Sequence, residues 1–229
     1  MDGPFFPVTQ EAVAHLAARD PILGGMIEQI GPVRRVCIPD LFTALMHTIA
    51  GQQISGKAHQ SVWKRVLVVC GTPLTPERVA TLPDETLRSA GLSGRKVAYI
   101  KEAARQMSCG ELEPKALADL DDEAFISALC VLPGVGRWTA EMLLIFSLAR
   151  EDVLSTGDFG IRRGLRMVYQ KAELTAADLA NYRALYSPYA SVASLYLWEI
   201  AGGTLNLADP LADSGLRSKK KKNAQQKEP

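Results

Sequence analysis

The sequence predicts an all-α protein, and three features of the chain support this fold class. Apolar residues recur at spacings of three and four, as do Leu41, Leu45 and Ile49, which places them on one face of a helix. No segment alternates between apolar and polar residues as a half-buried strand does. Turn-forming pairs of Gly and Pro separate the periodic segments, for example at residues 71–73. We therefore predict about ten short helices and no sheet.

The individual helices follow from this periodicity and from their capping residues. Thr9, Asp40 and Ser55 are candidate N-caps, because their side-chain oxygens can accept amide groups of a first helical turn. Gly71 is a candidate C-cap. The predicted helical stretches are, in chain order, residues 9–19, 40–50, 55–70, 76–81, 84–90, 94–107, 121–129, 137–149, 159–169, 175–185 and 188–201.

The composition is that of an ordinary globular protein whose positive charge is concentrated at one end. A length of 229 residues, 47% of them hydrophobic and 22% charged, allows one compact domain or two small lobes that share a cleft. Residues 217–229 hold six of the 26 basic and one of the 25 acidic residues, so residues 1–216 carry a formal charge of −4. We expect residues 217–229 to be a disordered basic tail, either merely solvated or attracted to nucleic acid. If residues 1–216 bind DNA, they must do so through a local patch and backbone donors.

The cysteines, the histidines and the N-terminal segment argue against several classes of protein. Cys37, Cys70, Cys109 and Cys130 are widely spaced and form no CxxC pair, so we expect free thiols rather than a zinc site or a disulfide framework. None of the three histidines stands in a ligand-like pair, so we expect no catalytic metal and no cofactor. The N-terminal segment lacks the features of a signal peptide, and no apolar stretch approaches 18 residues. We therefore expect no membrane partner.

Residues 132–142, LPGVGRWTAEM, predict a tight turn between two helices. Gly134 and Gly136 can both adopt a positive φ, and their lack of side chains allows another backbone to come close. Amide groups at the start of the second helix have no partner inside it, and together with the helix dipole they suit a phosphate oxygen. This indicates a hairpin that binds a DNA backbone without reading its sequence. The glycine spacing by itself favours a plain αα-hairpin. The residues downstream favour the DNA-binding interpretation.

Asp158 lies in the segment DVLSTGDFGIRRGL, residues 152–165, where the next helix begins. A hairpin, one helix outward and a loop back would bring Asp158 to the mouth of a cleft beside the hairpin. Asp is also a preferred N-cap. Both interpretations can hold together, because a carboxylate fixed at a helix N-terminus stays ionised and rigidly aimed. Asp158 is therefore the candidate catalytic residue.

Three segments together resemble the helix-hairpin-helix (HhH-GPD) DNA glycosylase superfamily, and within it the 3-methyladenine DNA glycosylase II, or AlkA-type, family. They are LFTALMHTIAGQQIS (41–55), LPGVGRWTAEMLLIFSLAREDVLSTGDFGIRRG (132–164) and SPYASVASLYLWEIAG (187–202). The resemblance implies two helical lobes with a cleft between them, in the compact form that lacks an N-terminal β domain. It implies a single domain over residues 1–216, in which residues 50–155 approximate the central lobe and the N- and C-terminal helices form the other.

The resemblance implies a monofunctional DNA glycosylase that flips alkylated bases, such as 3-methyladenine and 7-methylguanine, out of duplex DNA. Asp158 would stabilise the cationic sugar while the N-glycosidic bond is hydrolysed. Bifunctional members carry a Lys at the second position after the last hairpin glycine, where this sequence has Trp138, so we expect no lyase activity. No Cys follows Cys130, which excludes the iron–sulfur cluster of endonuclease III-like relatives.

The remaining site residues are also assigned by the resemblance. The predicted base pocket consists of Trp138, Trp198, Phe159 and Met142, although aromatic residues at such positions can be ordinary core packing. The predicted DNA-binding hairpin consists of Leu132, Gly134, Val135, Gly136, Arg137 and Thr139. The predicted wedge, which fills the space that a flipped base leaves, consists of Gln52, Gln53, Ile54 and Ser55, with Gln53 or Ile54 at its tip. The carbonyl groups of Cys130, Leu132 and Val135 could hold a monovalent cation.

Two alternative functions stay open at this point. A glycosylase for deaminated or mismatched bases would share Asp158 and the hairpin. A non-catalytic helix-hairpin-helix DNA-binding module would need neither the carboxylate nor an aromatic pocket. We expect double-stranded DNA with damaged bases as the partner and a monomeric protein. The expected compartment is the cytoplasm, at the nucleoid, in a bacterium, or the nucleus in a eukaryote.

Overall fold

The structure is a computed structural model that describes residues 3–211. This range contains thirteen helices and no β-strand, so the predicted all-α class is confirmed. In chain order the helices are α1 (Gln10–Arg19), α2 (Pro21–Ile30), α3 (Leu41–Gly51), α4 (Gly56–Cys70), α5 (Pro76–Thr81), α6 (Asp84–Ser89), α7 (Gly94–Ser108), α8 (Pro114–Ala118), α9 (Asp122–Leu129), α10 (Arg137–Phe146), α11 (Phe159–Tyr169), α12 (Ala176–Tyr186) and α13 (Ala190–Gly202). None of them is long and apolar enough to cross a membrane. The predicted basic tail, residues 217–229, lies outside the described residues.

Helices α3 to α10 belong to one compact unit, which comprises residues 36–149 and the short segment that ends at Pro4. Its core contains Leu45 and Ile49 of α3, Ile100 of α7 and Leu144 of α10, and none of these side chains is exposed. Burying each such side chain contributes roughly 1.5–3 kcal/mol. Helix α3 packs against α4, α7 and α10. This unit therefore begins before α3, earlier than the limit of about residue 50 that we expected for the central lobe.

Helices α1, α2, α11, α12 and α13 belong to a second compact unit, which takes in residues 5–35 and, within the described chain, residues 150–211. Its core includes Leu16, Leu23, Leu165 and Leu195, whose side chains are fully buried. Helix α13 packs along α11 and also contacts α1, α2 and α12. The apolar residues of α13 thus face neighbours on several sides, which explains why its sequence is hydrophobic nearly all round.

The observed helices differ from the predicted ones mainly at three points. Helix α2 was not predicted, because its two adjacent glycines lower helix propensity. A Cβ on Gly24 would lie 2.8 Å from the Cα atom of Ala17 in α1, so the glycine permits close packing of α1 on α2. Helix α10 ends at Phe146 rather than at residue 149, and Ala149 adopts a left-handed φ of 51°. Tertiary packing decides the first difference and backbone conformation the second. The short α8 was also not predicted.

The predicted caps fix the ends of the helices that flank residues 52–55. Asp40 accepts the amide N–H of Thr43 at 2.8 Å at the start of α3, and Ser55 accepts an amide of the first turn of α4. Gly71 ends α4 with a φ of 73°. An N-cap of this kind contributes about 0.5–2 kcal/mol. The turn between α3 and α4 is therefore held between two well-defined helices.

Candidate active site

Asp158 begins α11 as its N-cap. Its Oδ1 accepts the amide N–H of Ile161 at 2.8 Å and the indole N–H of Trp198, on α13, also at 2.8 Å. The side chain is half-buried. One N–H donor from α11 and one from α13 therefore fix the direction in which the carboxylate points. The carboxylate also lies at the positive end of the α11 dipole. The predicted N-cap is confirmed, and the catalytic role of Asp158 stays a prediction.

The close approach of Trp198 to Asp158 depends on glycines in α11. A Cβ on Gly160 would lie 2.7 Å from Cδ1 of Trp198 and 3.1 Å from Oδ1 of Asp158. One turn later, a Cβ on Gly164 would lie 2.5 Å from the carbonyl oxygen of Leu197. Residues four apart lie on the same helix face, so the two glycines together let α11 and α13 approach closely. This role of the two glycines was not predicted, although the spacing of two glycines directly after Asp158 was a usable signal.

Phe159 and Trp198, both predicted to line the base pocket, differ in how much of their side chains is exposed. The Phe159 side chain is 73% exposed, whereas Trp198 is half-buried and hydrogen-bonded. An exposed ring of this size next to a fixed carboxylate is available to stack on a ligand. Trp198 instead contributes a polar contact that the prediction of a pocket wall did not include.

The hairpin between α9 and α10 is anchored in the core of its unit by Leu132 and Val135, which are 2% and 6% exposed. Gly134 has a φ of 78°, and a Cβ there would overlap the ring of Tyr99 on α7. Gly136 has a φ of −108° as the N-cap of α10, so of the two glycines that can adopt a positive φ only Gly134 does so. Glycine permits that region without requiring it.

The start of α10 offers amide groups, while the charge of Arg137 is already paired. Gly136 supplies no side-chain cap, so the amides of the first turn lack that partner within the described chain. The Arg137 guanidinium binds both carboxylate oxygens of Glu123, and its Nε lies 2.9 Å from the buried Glu141. This pairing raises the pKa of Arg137. The predicted role of the hairpin in DNA binding stays a prediction, and its available donors are backbone groups.

The predicted wedge lies in the turn between α3 and α4, and its four side chains divide into two pairs. Gln52 donates a hydrogen bond from Nε2 to the carbonyl oxygen of Gly134 at 3.0 Å, and Ser55 caps α4. Gln53 and Ile54 are exposed, and Gln53 adopts a left-handed φ of 57°. The exposed pair is the one that we predicted for the tip of the wedge.

An open groove of about 890 Å³ runs beside this turn. Its lining includes Gln53, Ile54, Lys96, Tyr99 and Trp138, and Trp138 is 41% exposed. The predicted wedge, the hairpin and one predicted pocket residue thus border one surface.

Two other predicted site residues are buried. Met142 is only 7% exposed and lines a separate cavity of about 220 Å³ that also includes His47, so the structure does not bring Met142 to the groove beside Trp138. The side chain of Thr139 is buried too, and its Oγ1 lies 3.4 Å from the side-chain amide nitrogen, Nε2, of Gln52. Its hydroxyl therefore faces the turn between α3 and α4 rather than solvent.

The predicted cation site in the hairpin stays a prediction. The amide of Val135 donates to the carbonyl oxygen of Leu132 at 3.1 Å, which leaves that oxygen one further lone pair. Among residues 3–211, no group of three or more His, Cys, Asp and Glu side chains is arranged to hold a metal ion.

Residues 46–184, more than half of the chain, match the family model described as HhH-GPD superfamily base excision DNA repair protein. The chain belongs to this superfamily. The HhH-GPD chain is also 31% identical to DNA-3-methyladenine glycosylase 1 of Schizosaccharomyces pombe. The aligned 206 residues cover 87% of this chain and 89% of the relative. The predicted family is therefore confirmed.

Solved structures agree with the HhH-GPD fold. A DNA-3-methyladenine glycosidase from Bacillus halodurans has a TM-score of 0.75 at 37% identity and covers 87% of this chain and 93% of its own. The 3-methyladenine DNA glycosylase Mag1 of Schizosaccharomyces pombe, in complex with abasic DNA, has a TM-score of 0.75 at 28% identity. The match covers 86% of this chain and 98% of the Mag1 chain. The predicted helix-hairpin-helix glycosylase fold is confirmed.

Proposed function

We propose that this protein is a DNA glycosylase that flips alkylated bases out of double-stranded DNA and hydrolyses their N-glycosidic bonds. The observation that carries the proposal is the Asp158 carboxylate, which the Ile161 amide and the Trp198 indole hold at the start of α11. Relatives aligned over most of the chain support it, since those from Schizosaccharomyces pombe and Saccharomyces cerevisiae bear the name DNA-3-methyladenine glycosylase. Monomeric state and compartment stay predictions.

A fixed carboxylate suits this reaction because the sugar becomes positively charged as the base leaves. Alkylation at N3 or N7 makes a purine cationic, so the base is already a good leaving group and needs little general-acid help. Asp158 then stabilises the developing oxocarbenium ion electrostatically and orients water. A cationic base is attracted to an electron-rich aromatic face by about 0.5–2 kcal/mol. The Phe159 side chain, which directly follows Asp158 and is 73% exposed, presents such a face to solvent.

We also propose that the enzyme has no lyase activity. Trp138 occupies the position at which bifunctional relatives carry a lysine nucleophile. The amine that lines the same groove, Lys96 Nζ, donates hydrogen bonds to the carbonyl oxygens of Ala50 and Gln52. An ammonium group held by two carbonyls is not poised to attack a sugar carbon, so the product strand should stay intact at the abasic site.

Wild-type protein should release 3-methyladenine from methylated duplex DNA, which chromatography of the freed bases measures. The abasic strand should break only after alkali treatment, as a denaturing gel shows. Parallel duplexes that contain uracil or a mismatch should release little base. Efficient release from those duplexes alone would favour a glycosylase for deaminated bases. Absence of any release would favour a non-catalytic DNA-binding module, and protein-dependent nicks before alkali would contradict the absence of lyase activity.

Trp198→Phe should slow single-turnover excision by about tenfold to a hundredfold, because a hydrogen bond to a charged group contributes roughly 1.5–3 kcal/mol. The variant keeps an aromatic ring but loses the N–H that Asp158 accepts. Quenched-flow measurement of base release gives the rate. Trp63→Phe is the matched control, because Trp63 is a buried indole whose N–H has no hydrogen-bond partner among the described residues. Equal losses in both variants would show that Trp198 acts only as packing.

A further inference from the structure

Helix α7 contacts both turns that we predict to meet DNA. Lys96 Nζ donates hydrogen bonds to the carbonyl oxygens of Ala50 at 2.8 Å and Gln52 at 2.7 Å, at the end of α3. Tyr99, one turn further along α7, packs its ring against Gly134 in the hairpin. Residues three apart lie on one helix face, so a single face of α7 touches the predicted wedge and the hairpin.

The contact of Lys96 is suited to fixing the turn. The last carbonyl groups of a helix have no partner inside it, and a cation there interacts favourably with the helix dipole. Both hydrogen bonds are charge-assisted. Partial burial disfavours the ammonium and lowers the pKa of Lys96. The bonds therefore tie the end of α3 to α7.

Gln53, the residue after Gln52, has a backbone conformation that needs such support. Gln53 has a φ of 57°, a backbone region that a residue with a side chain occupies only when its surroundings impose it. Its neighbour Gln52 is held twice, because its carbonyl accepts from Lys96 and its side-chain amide donates to Gly134. These contacts therefore restrain the backbone directly before Gln53.

We propose that Lys96 is a positioning residue that holds the exposed tip, Gln53 and Ile54, in register with the hairpin. This inference rests on the proposed function, in which the tip fills the space of the flipped base while the hairpin binds the backbone. Filling that space stabilises the flipped state only if the tip is already in place. A loosened turn would therefore reduce flipping more than it reduces binding.

The chain supplies a matched control for this test. Lys101, also on α7, donates hydrogen bonds from Nζ to the carbonyl oxygens of Ala80 and Leu82 at the end of α5. Lys96→Met and Lys101→Met therefore remove the same kind of contact from the same helix. Only Lys96 lines the groove beside the predicted wedge.

The first measurement is amide hydrogen exchange in the DNA-free protein. Lys96→Met should speed exchange of residues 50–55 by about tenfold or more, because it removes two hydrogen bonds to a charged group. Lys101→Met should speed exchange of residues 79–82 instead. Lys96→Arg, which keeps the charge and the donors, should restore most of the protection.

The second measurement is base flipping, followed by the fluorescence of 2-aminopurine placed next to the lesion in a duplex. Lys96→Met should lower the flipped population by about tenfold, a larger loss than that in its affinity for undamaged duplex, while Lys101→Met should match wild type. Unchanged exchange of residues 50–55, wild-type flipping by Lys96→Met, or equal losses in both variants would each overturn the inference. If wild type neither flips nor excises, the proposed function fails, and the exchange comparison still decides whether Lys96 holds the turn.

Discussion

Asp158→Asn should reduce single-turnover excision of 3-methyladenine by at least about two to three orders of magnitude. The substitution removes the negative charge that would face the cationic sugar, and it keeps the size of the side chain. Asn retains an Oδ1 that can accept the Ile161 amide and the Trp198 indole, as Asp158 does now. Base release from methylated DNA under enzyme excess measures the loss.

The same substitution should leave stability nearly unchanged, because Asn is as good an N-cap as Asp. Asp121→Asn is the control, since Asp121 caps α9 in the same way by accepting the Ala124 amide at 2.8 Å. We expect that control to excise at the wild-type rate with a similar Tm. If Asp158→Asn released 3-methyladenine as fast as wild type, the proposed mechanism would be wrong.

Gly134→Ala should lower the free energy of unfolding by about 2–5 kcal/mol. Roughly 1–2 kcal/mol comes from forcing a residue with a Cβ into the left-handed region, where Gly134 has a φ of 78°. A further 1–3 kcal/mol or so comes from overpacking, because the new Cβ would overlap the Tyr99 ring. The expected fall in Tm is roughly 5–15 °C for a chain of this size, and calorimetry measures it.

Gly136→Ala is the matched comparison two residues along the hairpin. Gly136 is extended, and within residues 3–211 nothing lies within 4 Å of a Cβ built on it. Replacing an N-cap Gly by Ala should therefore change stability by less than about 1 kcal/mol. Similar losses of Tm in the two variants would show that neither the positive φ nor the Tyr99 contact distinguishes Gly134.

Local signals in the sequence predicted much of the fold. The apolar spacing of α3, the caps Asp40 and Ser55, and the position of Asp158 at a helix start all depend on residues within a few positions of one another. The structure confirms these local features. Helix α2 was missed for the opposite reason, since its glycines are unfavourable locally and are compensated by packing against α1.

The contacts that organise the candidate site could not be predicted in the same way. Trp198 and Asp158 are 40 positions apart, and their hydrogen bond exists because glycines let α11 and α13 approach closely. Lys96 reaches the end of α3 because of where α7 packs. Such contacts follow from tertiary structure, and no periodicity encodes them. Gly136 illustrates a further limit, because its sequence permits two backbone conformations and its neighbours select one.

The ion pairs of Arg137 bear on how the hairpin would respond to ionic strength. Because Glu123 and Glu141 neutralise its guanidinium, a phosphate at the start of α10 would meet amide dipoles rather than an unpaired cation. Counterion release, which makes DNA affinity fall with a slope of about −0.9 per neutralised phosphate in log K against log salt, requires such cations. Attraction through amide dipoles adds little to that slope, so the hairpin's share of the affinity should persist in concentrated salt.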